Sequence, residues 1–466
     1  MAIRSHRHVA APGPKHGPAH AAAPRIRFIP NDPLQPALGV EHPPAPDDAK
    51  LAPRASVIPE TAAAPPAREY PLDTPGFRYW QLAEALHRGA RLWSALSPRF
   101  RAWQGGREEL PAVPDGGEEL NAWYDRSALV FCHVHDAGAG GDVYASQSVD
   151  VACHEEAHAV LDALRPDLWD AAAFEAGAFH EAFADIGSLL VALDHPGLRA
   201  LAAAQQKGDP RASSDVSRLA EQLGRAALDL YGPGASEPDC LRDAANSFVY
   251  LSPMDLPSGG PASQLTRESH SFARIFSGAF HEAVGRAAGT GVSREAGLDA
   301  ASKALGRALA EAAVTAPLAP RFFHSVAREW LTALGGVEPF AGALQSTLRE
   351  RRLLRAGTSS GDPGASEPGA AGCDATRLAA ADLSTGHALR KVCIRHADGE
   401  ITCFALAAGA GGEAEAAAFV EDLEVHGRLE RAGGVRAPGS RATHRIEEQG
   451  GTRVLRRIRI HGLRDG

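Results

Sequence analysis

Val151-Ala152-Cys153-His154-Glu155-Glu156-Ala157-His158-Ala159-Val160 carries two histidines four residues apart, with a glutamate directly after the first. Residues at that spacing share one face of an α-helix. The stretch from Asp150 to about Leu164 reads as one helix, stopped by Pro166. Both imidazoles can then reach one Zn²⁺, at roughly 2.0–2.1 Å from nitrogen to metal. Glu155 stands about 100° round the helix from His154, near such an ion without ligating it. That is where a base for an activated water belongs. The same residues also fit a charged, solvent-facing helix that binds nothing, so a zinc site needs a third ligand.

The next helical stretch, about 174–194 and closed by His195-Pro196, offers one. Glu175-Ala-Gly-Ala-Phe-His180-Glu181-Ala-Phe-Ala-Asp185-Ile186 places Glu181 and Asp185 four apart on one face. Glu181 would complete a two-histidine, one-glutamate set and leave the fourth position open, as a catalytic zinc requires. Asp185 could accept a hydrogen bond from the far nitrogen of His154 and orient it. An amphipathic helix with two solvated acids is the competing reading.

Asn121-Ala122-Trp123-Tyr124, then Asp150-x-x-x-His154-Glu155-x-x-His158, then Glu175-x-Gly-Ala-x-x-Glu181-Ala-x-x-Asp185 resemble the thermolysin family of zinc metallopeptidases, in order and with similar intervals. The resemblance covers about 120–285 and is densest at the two motif helices. It implies an α+β fold with a mixed β/α N-terminal lobe, an α-helical C-terminal lobe and zinc in the cleft between them. It implies that His154, His158 and Glu181 ligate zinc, that Glu155 is the general base and that Asp185 orients a histidine. Asn121 and Ala122 match edge-strand residues that hold the substrate backbone. Leu241-Arg242 resembles the family's arginine that grips a substrate carbonyl. Ser269-His270, ahead of Phe276-Ser277-Gly278, resembles its transition-state histidine. The chain also departs from the family. The interval from His158 to Glu181 is a few residues longer, and Trp169 stands where the family has an oxyanion-binding tyrosine. Ala192 and apolar neighbours replace the acids that bind calcium, leaving Asp150 as one matching acid, so calcium is not expected.

Hydrophobic residues make up 44% of the 466, enough for a sizeable core, and a chain this long is expected to divide into two or three domains. Residues 1–70, rich in Ala, Pro, His and Arg, are expected to be a disordered tail. The reading assigns 71–200 to the N-terminal lobe with the zinc motif and 201–356 to the helical C-terminal lobe. It assigns 357–372 to a flexible linker and 373–466 to a small separate α+β domain. Further helical periodicity falls at about 77–103, 213–230, 270–287, 294–314, 320–333 and 338–355. Ser293 can cap one of these helices and Gly335 can end another. Strands are read at Ala128–Cys132, with Val143-Tyr144 as a hairpin partner, at Ala388–Ala407 around Asp398-Gly399, and at Arg453–His461.

The 57 acids against 48 Lys and Arg give a net charge of -9, which argues against a general nucleic-acid or anionic-membrane binder. No run of 18 apolar residues predicts a spanning helix. Met1–His20 lacks an apolar signal core, so a cytoplasmic location is expected, with unconventional export as the alternative. Six Cys without a C-x-x-C pair argue against a disulfide framework and a cysteine-type zinc site. His133-Val-His135-Asp136 reads as a polar strand face and Cys153 as a buried inert thiol. Arg349-x-Arg351-Arg352-x-x-Arg355 reads as a helix end favoured by the dipole, and Arg456-Arg457-x-Arg459 as the outer face of an edge strand. The function expected is a monomeric zinc endopeptidase acting on peptide or protein. The alternatives are a non-catalytic zinc-binding scaffold and a metallohydrolase of a non-peptide amide.

Overall fold

The computed structural model describes residues 23–354 without 36–37, 48–50, 137, 170, 172, 290–293 and 319–320, and then 389–395, 401–407, 419–420, 422–430, 442–449 and 452–461. These residues form a mixed helix-and-strand, α+β architecture with small sheets. The elements run β1 (Arg54–Val57), α1 (Pro75–Leu96), β2 (Glu109–Val113), β3 (Ala122–Tyr124), β4 (Leu129–Phe131), β5 (His133–Asp136) and β6 (Gly141–Tyr144). They continue as α2 (Val149–Leu164), α3 (Phe174–Asp194), α4 (Pro196–Gln206), β7 (Arg218–Leu219), α5 (Glu221–Tyr231) and β8 (Arg242–Asp243). Then come α6 (Ser269–Ala287), α7 (Arg294–Thr315), α8 (Phe322–Leu334) and α9 (Phe340–Glu350). The last strands are β9 (Leu389–Arg395), β10 (Ile401–Ala407), β11 (Leu429–Glu430), β12 (His444–Gln449), β13 (Thr452–Arg457) and β14 (Ile460–His461).

Local chemistry explains the boundaries around the motif helices. Thr74 caps α1, its side chain accepting from the Phe77 amide, and Pro75 fills the first helical position. α2 stops at Arg165, before Pro166, and α3 stops at His195, before Pro196. Arg165 is buried and donates to the Asp167 carboxylate and to the carbonyls of Ala313, Val314 and Ala316. It thereby satisfies acceptors that the end of α7 leaves open. α2 and α3 cross closely because Gly187 has no side chain; a Cβ there would lie 2.5 Å from that of Ala157. That crossing sets the histidine face of α2 against the acidic face of α3. Behind it, Phe179 packs edge-on against Phe276 of α6 and Phe322 of α8. α3 is long and apolar enough to cross a membrane, and its apolar window is wholly buried inside the protein.

The first sheet has the order β1-β2-β4-β3-β14. β1, β2 and β4 run parallel to one another, and β3 is antiparallel to both β4 and β14. Alternate residues Ala122, Tyr124, Leu129 and Phe131 point into the core. The second sheet, β11-β12-β13-β10-β9, lies entirely in the C-terminal segment.

Several expectations need correction. The described residues of 23–70 are not a disordered tail: Ile26, Phe28 and Ile29 are buried, and β1 joins the first sheet. The Gln81 side chain accepts from the Ile29 amide and donates to its carbonyl. Scattered apolar residues between prolines have no period in sequence, yet each gains burial by docking on an existing surface. Residues 1–22, Ser293, the linker at 357–372 and Asp398-Gly399 lie outside the described residues. The hairpin partner of β6 is β5, because the Ala128–Cys132 stretch is used as β4 between β2 and β3. The helix expected at 213–230 begins at Glu221, after the short strand β7. The C-terminal segment does not stand apart, since β14 leaves its neighbours and completes the first sheet.

Candidate metal centre

The α2–α3 crossing brings His154, His158 and Glu181 together. His154 Nε2 and His158 Nε2 lie 3.4 and 3.5 Å from Glu181 Oε2. All three residues are buried, and none of the three atoms has a hydrogen-bond partner. Unpaired buried polar atoms are costly, and a shared cation would satisfy all three at once. Two imidazole nitrogens and one carboxylate oxygen within 4.8 Å of one another could hold a metal ion. Burial pushes His158 down to about 4, so its ring is neutral, as a ligand must be.

Glu155 sits beside this set on α2, fully buried, with neither carboxylate oxygen hydrogen bonded. Burial pushes its carboxyl up to about 8, a value suited to taking and returning a proton near neutrality. Asp185 Oδ1 stands 3.1 Å from His154 Nδ1. Arg242 donates to the same oxygen through Nε at 3.3 Å and an Nη at 2.9 Å. Burial opposes the charge on Asp185, but Arg242 and His154 outweigh it and hold the carboxyl down to about 2. Burial likewise opposes a charge on His154, but the neighbouring carboxylates of Asp185 and Glu181 hold it up to about 9. Arg242 therefore acts on Asp185 here, one step behind the three converging residues.

His270 enters from the first turn of α6. Its Nε2 lies 3.2 Å from Glu181 Oε2 and its Nδ1 2.7 Å from Glu268 Oε1. Glu268 is the N-cap of α6, its other oxygen accepting from the Ser271 amide at 2.9 Å. One carboxylate thus caps the helix and orients the imidazole. Sequence reasoning missed Glu268. Its only signal was an acid two residues before His270, at a position where Ser, Thr, Asp and Asn are the usual caps. It also missed Arg428, which donates to the same Glu268 oxygen at 2.9 Å from the C-terminal segment.

Ala122 opens β3 and Asn121 directly precedes it. The Asn121 amide donates to Glu119 at 2.8 Å, and its carbonyl accepts from the Ala122 amide at 2.9 Å. The indole N–H of Trp169 donates to the Arg457 carbonyl at 3.1 Å. His133 and His135 pair with separate partners, Asp115 and Asp142, and share no ligand point. Burial holds the Cys153 thiol well above its ordinary pKa, so it stays an uncharged thiol. Arg351 stands at the end of α9, as the sequence reading places it, and is also a buried clamp on Glu282, Asn246 and the Phe248 carbonyl.

A second acidic cluster gathers round Asp150. Asp32 from the N-terminal segment and Glu221 at the start of α5 reach it, and the three buried carboxylates could hold an ion. Burial raises all three carboxyls above their ordinary range. Above the ordinary carboxylate pKa the folded chain then binds more protons than the unfolded chain. The stability carried by the cluster is full below that pKa and is lost as pH rises towards the folded values. Glu221→Gln removes a carboxylate whose oxygens have no hydrogen-bond partner. Its gain in Tm over wild type is expected to be larger at pH 8 than at pH 5. An equal or smaller gain at pH 8 in a thermal melt would mean that the cluster is ionised around a cation. No protein-family model matches this chain, and no curated protein matches it either.

Proposed function

We propose that this chain is a zinc-dependent metalloendopeptidase of thermolysin-like type, with residues 71–200 and 201–356 as its two lobes. The observation that carries the reading is Glu155. It is a buried carboxylate that stays unpaired while its neighbours on the same helix converge with Glu181. A scaffold that only stores zinc has no use for such a group. A zinc ion held by His154, His158 and Glu181 would polarise the scissile carbonyl and acidify a water. Glu155 takes the proton from that water as its oxygen adds to the carbonyl carbon. It then delivers the proton to the amine nitrogen as the C–N bond breaks, leaving a carboxylic acid whose remaining proton passes to the amine, so that the products are a carboxylate and an ammonium. His270, oriented by Glu268, donates to the carbonyl oxygen as negative charge develops there. Asp185 orients His154, and Arg242 holds Asp185 in place. Asn121 and Ala122 at the start of β3 are the residues to hold the substrate backbone.

Cleavage of a denatured-protein library by the pure enzyme, with and without chelator, tests the reading. Chelator-sensitive peptide products support it; their absence, with turnover of a simple non-peptide amide, moves the same chemistry to another substrate class. His270→Phe is expected to keep its zinc and to lose roughly 10²–10³-fold in kcat with a smaller change in KM, because the donation strengthens in the transition state. Unchanged kcat/KM in steady-state kinetics would reduce His270 to a structural partner of Glu268.

A further inference from the structure

We propose that the C-terminal segment, β9 to β14, is an intramolecular inhibitor that closes the metal centre by occupying the outer edge of β3. The proposal rests on the peptidase reading for its consequence, and on three separate contacts for its geometry.

The first contact is the strand edge itself. β3 bonds β4 on one side, and on the other it pairs with β14, Ile460 opposite Tyr124 and His461 opposite Trp123. A free sheet edge can receive an extended polypeptide through backbone groups that any sequence carries. Here that edge is filled by the chain's own last strand, which runs towards Ala122. Ile460 is 1% exposed, and the Arg459 guanidinium lies over the Trp123 ring at 4.9 Å. The second contact grips the entry to α6. Arg267 pairs with Asp422 at 3.1 Å, and Arg428 donates to the Glu268 oxygen that holds His270. The third lies ahead of and at the start of α3. Trp169 and Arg457 exchange hydrogen bonds with each other's carbonyls at 3.1 and 3.0 Å, and Phe174 packs on Phe419 with ring centroids 5.5 Å apart.

The segment therefore bridges β3, α3 and α6, the elements that supply Ala122, Glu181 and His270. The result is a centre with no room for a polypeptide. His154, Glu155, His158, Glu181 and His270 are 4, 0, 0, 3 and 2% exposed. A scissile bond reaches Glu155 only after something moves. The C-terminal segment is held on by a two-residue strand that contributes Ile460 to the core, two hydrogen bonds to Trp169, ion pairs and a few rings, whereas the helices around the centre contribute many core residues each.

The test compares the zinc-loaded full chain with Asp422→Arg, with Ile460→Asp and with the charge-swapped pair Arg267→Asp/Asp422→Arg. The swap restores opposite charges, so it separates undocking from misfolding. Two readouts are taken: hydrolysis of a denatured protein, and the rate at which dipicolinate strips zinc. If the closed form dominates, both single variants raise both rates by about tenfold or more, and the swapped pair returns them towards wild type. Faster stripping without hydrolysis by any variant would keep the closure and sink the peptidase reading. Hydrolysis by wild type as fast as by the variants, with equal stripping, would overturn the closure and leave the peptidase reading standing. Slower hydrolysis in the variants would also overturn it, making the segment part of the substrate site.

Discussion

Glu155→Gln is expected to keep its zinc and to lose roughly 10²–10⁴-fold in kcat, the usual cost of removing a general base. The substitution is nearly isosteric, and Glu155 makes no hydrogen bond that the amide would break. The three converging residues, His154, His158 and Glu181, are left untouched. The loss must therefore fall on proton transfer, and KM should move far less than kcat. The carboxyl, pushed up to about 8 by burial, is replaced by a group that cannot accept a proton at any working pH. The measurement is kcat with metal content determined on the same sample, in the full chain and in the Asp422→Arg background. A variant with full zinc and wild-type kcat would end the mechanism while leaving the metal site intact.

His158→Ala should abolish metal binding, and with it activity down to background. Wild type should carry close to one zinc per chain. His158 is fully buried and its Nε2 has no partner within the protein, so the folded state gains by binding a cation there. A ligand that binds only the folded chain raises stability by mass action, by about 4 kcal/mol when its concentration is a thousandfold above Kd. Zinc should accordingly raise the Tm of the wild type and leave that of His158→Ala unmoved. A metal-free wild type with full activity would remove the site assignment altogether.

The legible part of this protein is local. The four-residue spacings of His154 with His158 and of Glu181 with Asp185 place each pair on one helix face, because that geometry needs no information from outside the turn. For the same reason α2, α3, α6 and α7 begin and end within a residue of where periodicity and the flanking prolines put them. The candidate ligands and Glu155 were legible because their spacing is tight within two helices, whereas His270 was singled out only through the resemblance.

Only the tertiary structure decided what surrounds them. Arg428 and Glu268 are 160 residues apart, and Trp169 and Arg457 are 288 apart. Asp32, Asp150 and Glu221 come from three distant stretches, and nothing in sequence shows that the three meet. Gly187 sets the α2–α3 distance only because Ala157 lies across from it. The docking of β14 on β3 leaves no mark in the chain, because strand pairing is made by N–H and C=O groups that nearly every residue carries. Side-chain pattern tells which face of a strand is buried, but which edge it meets is settled when the rest of the molecule has folded around it.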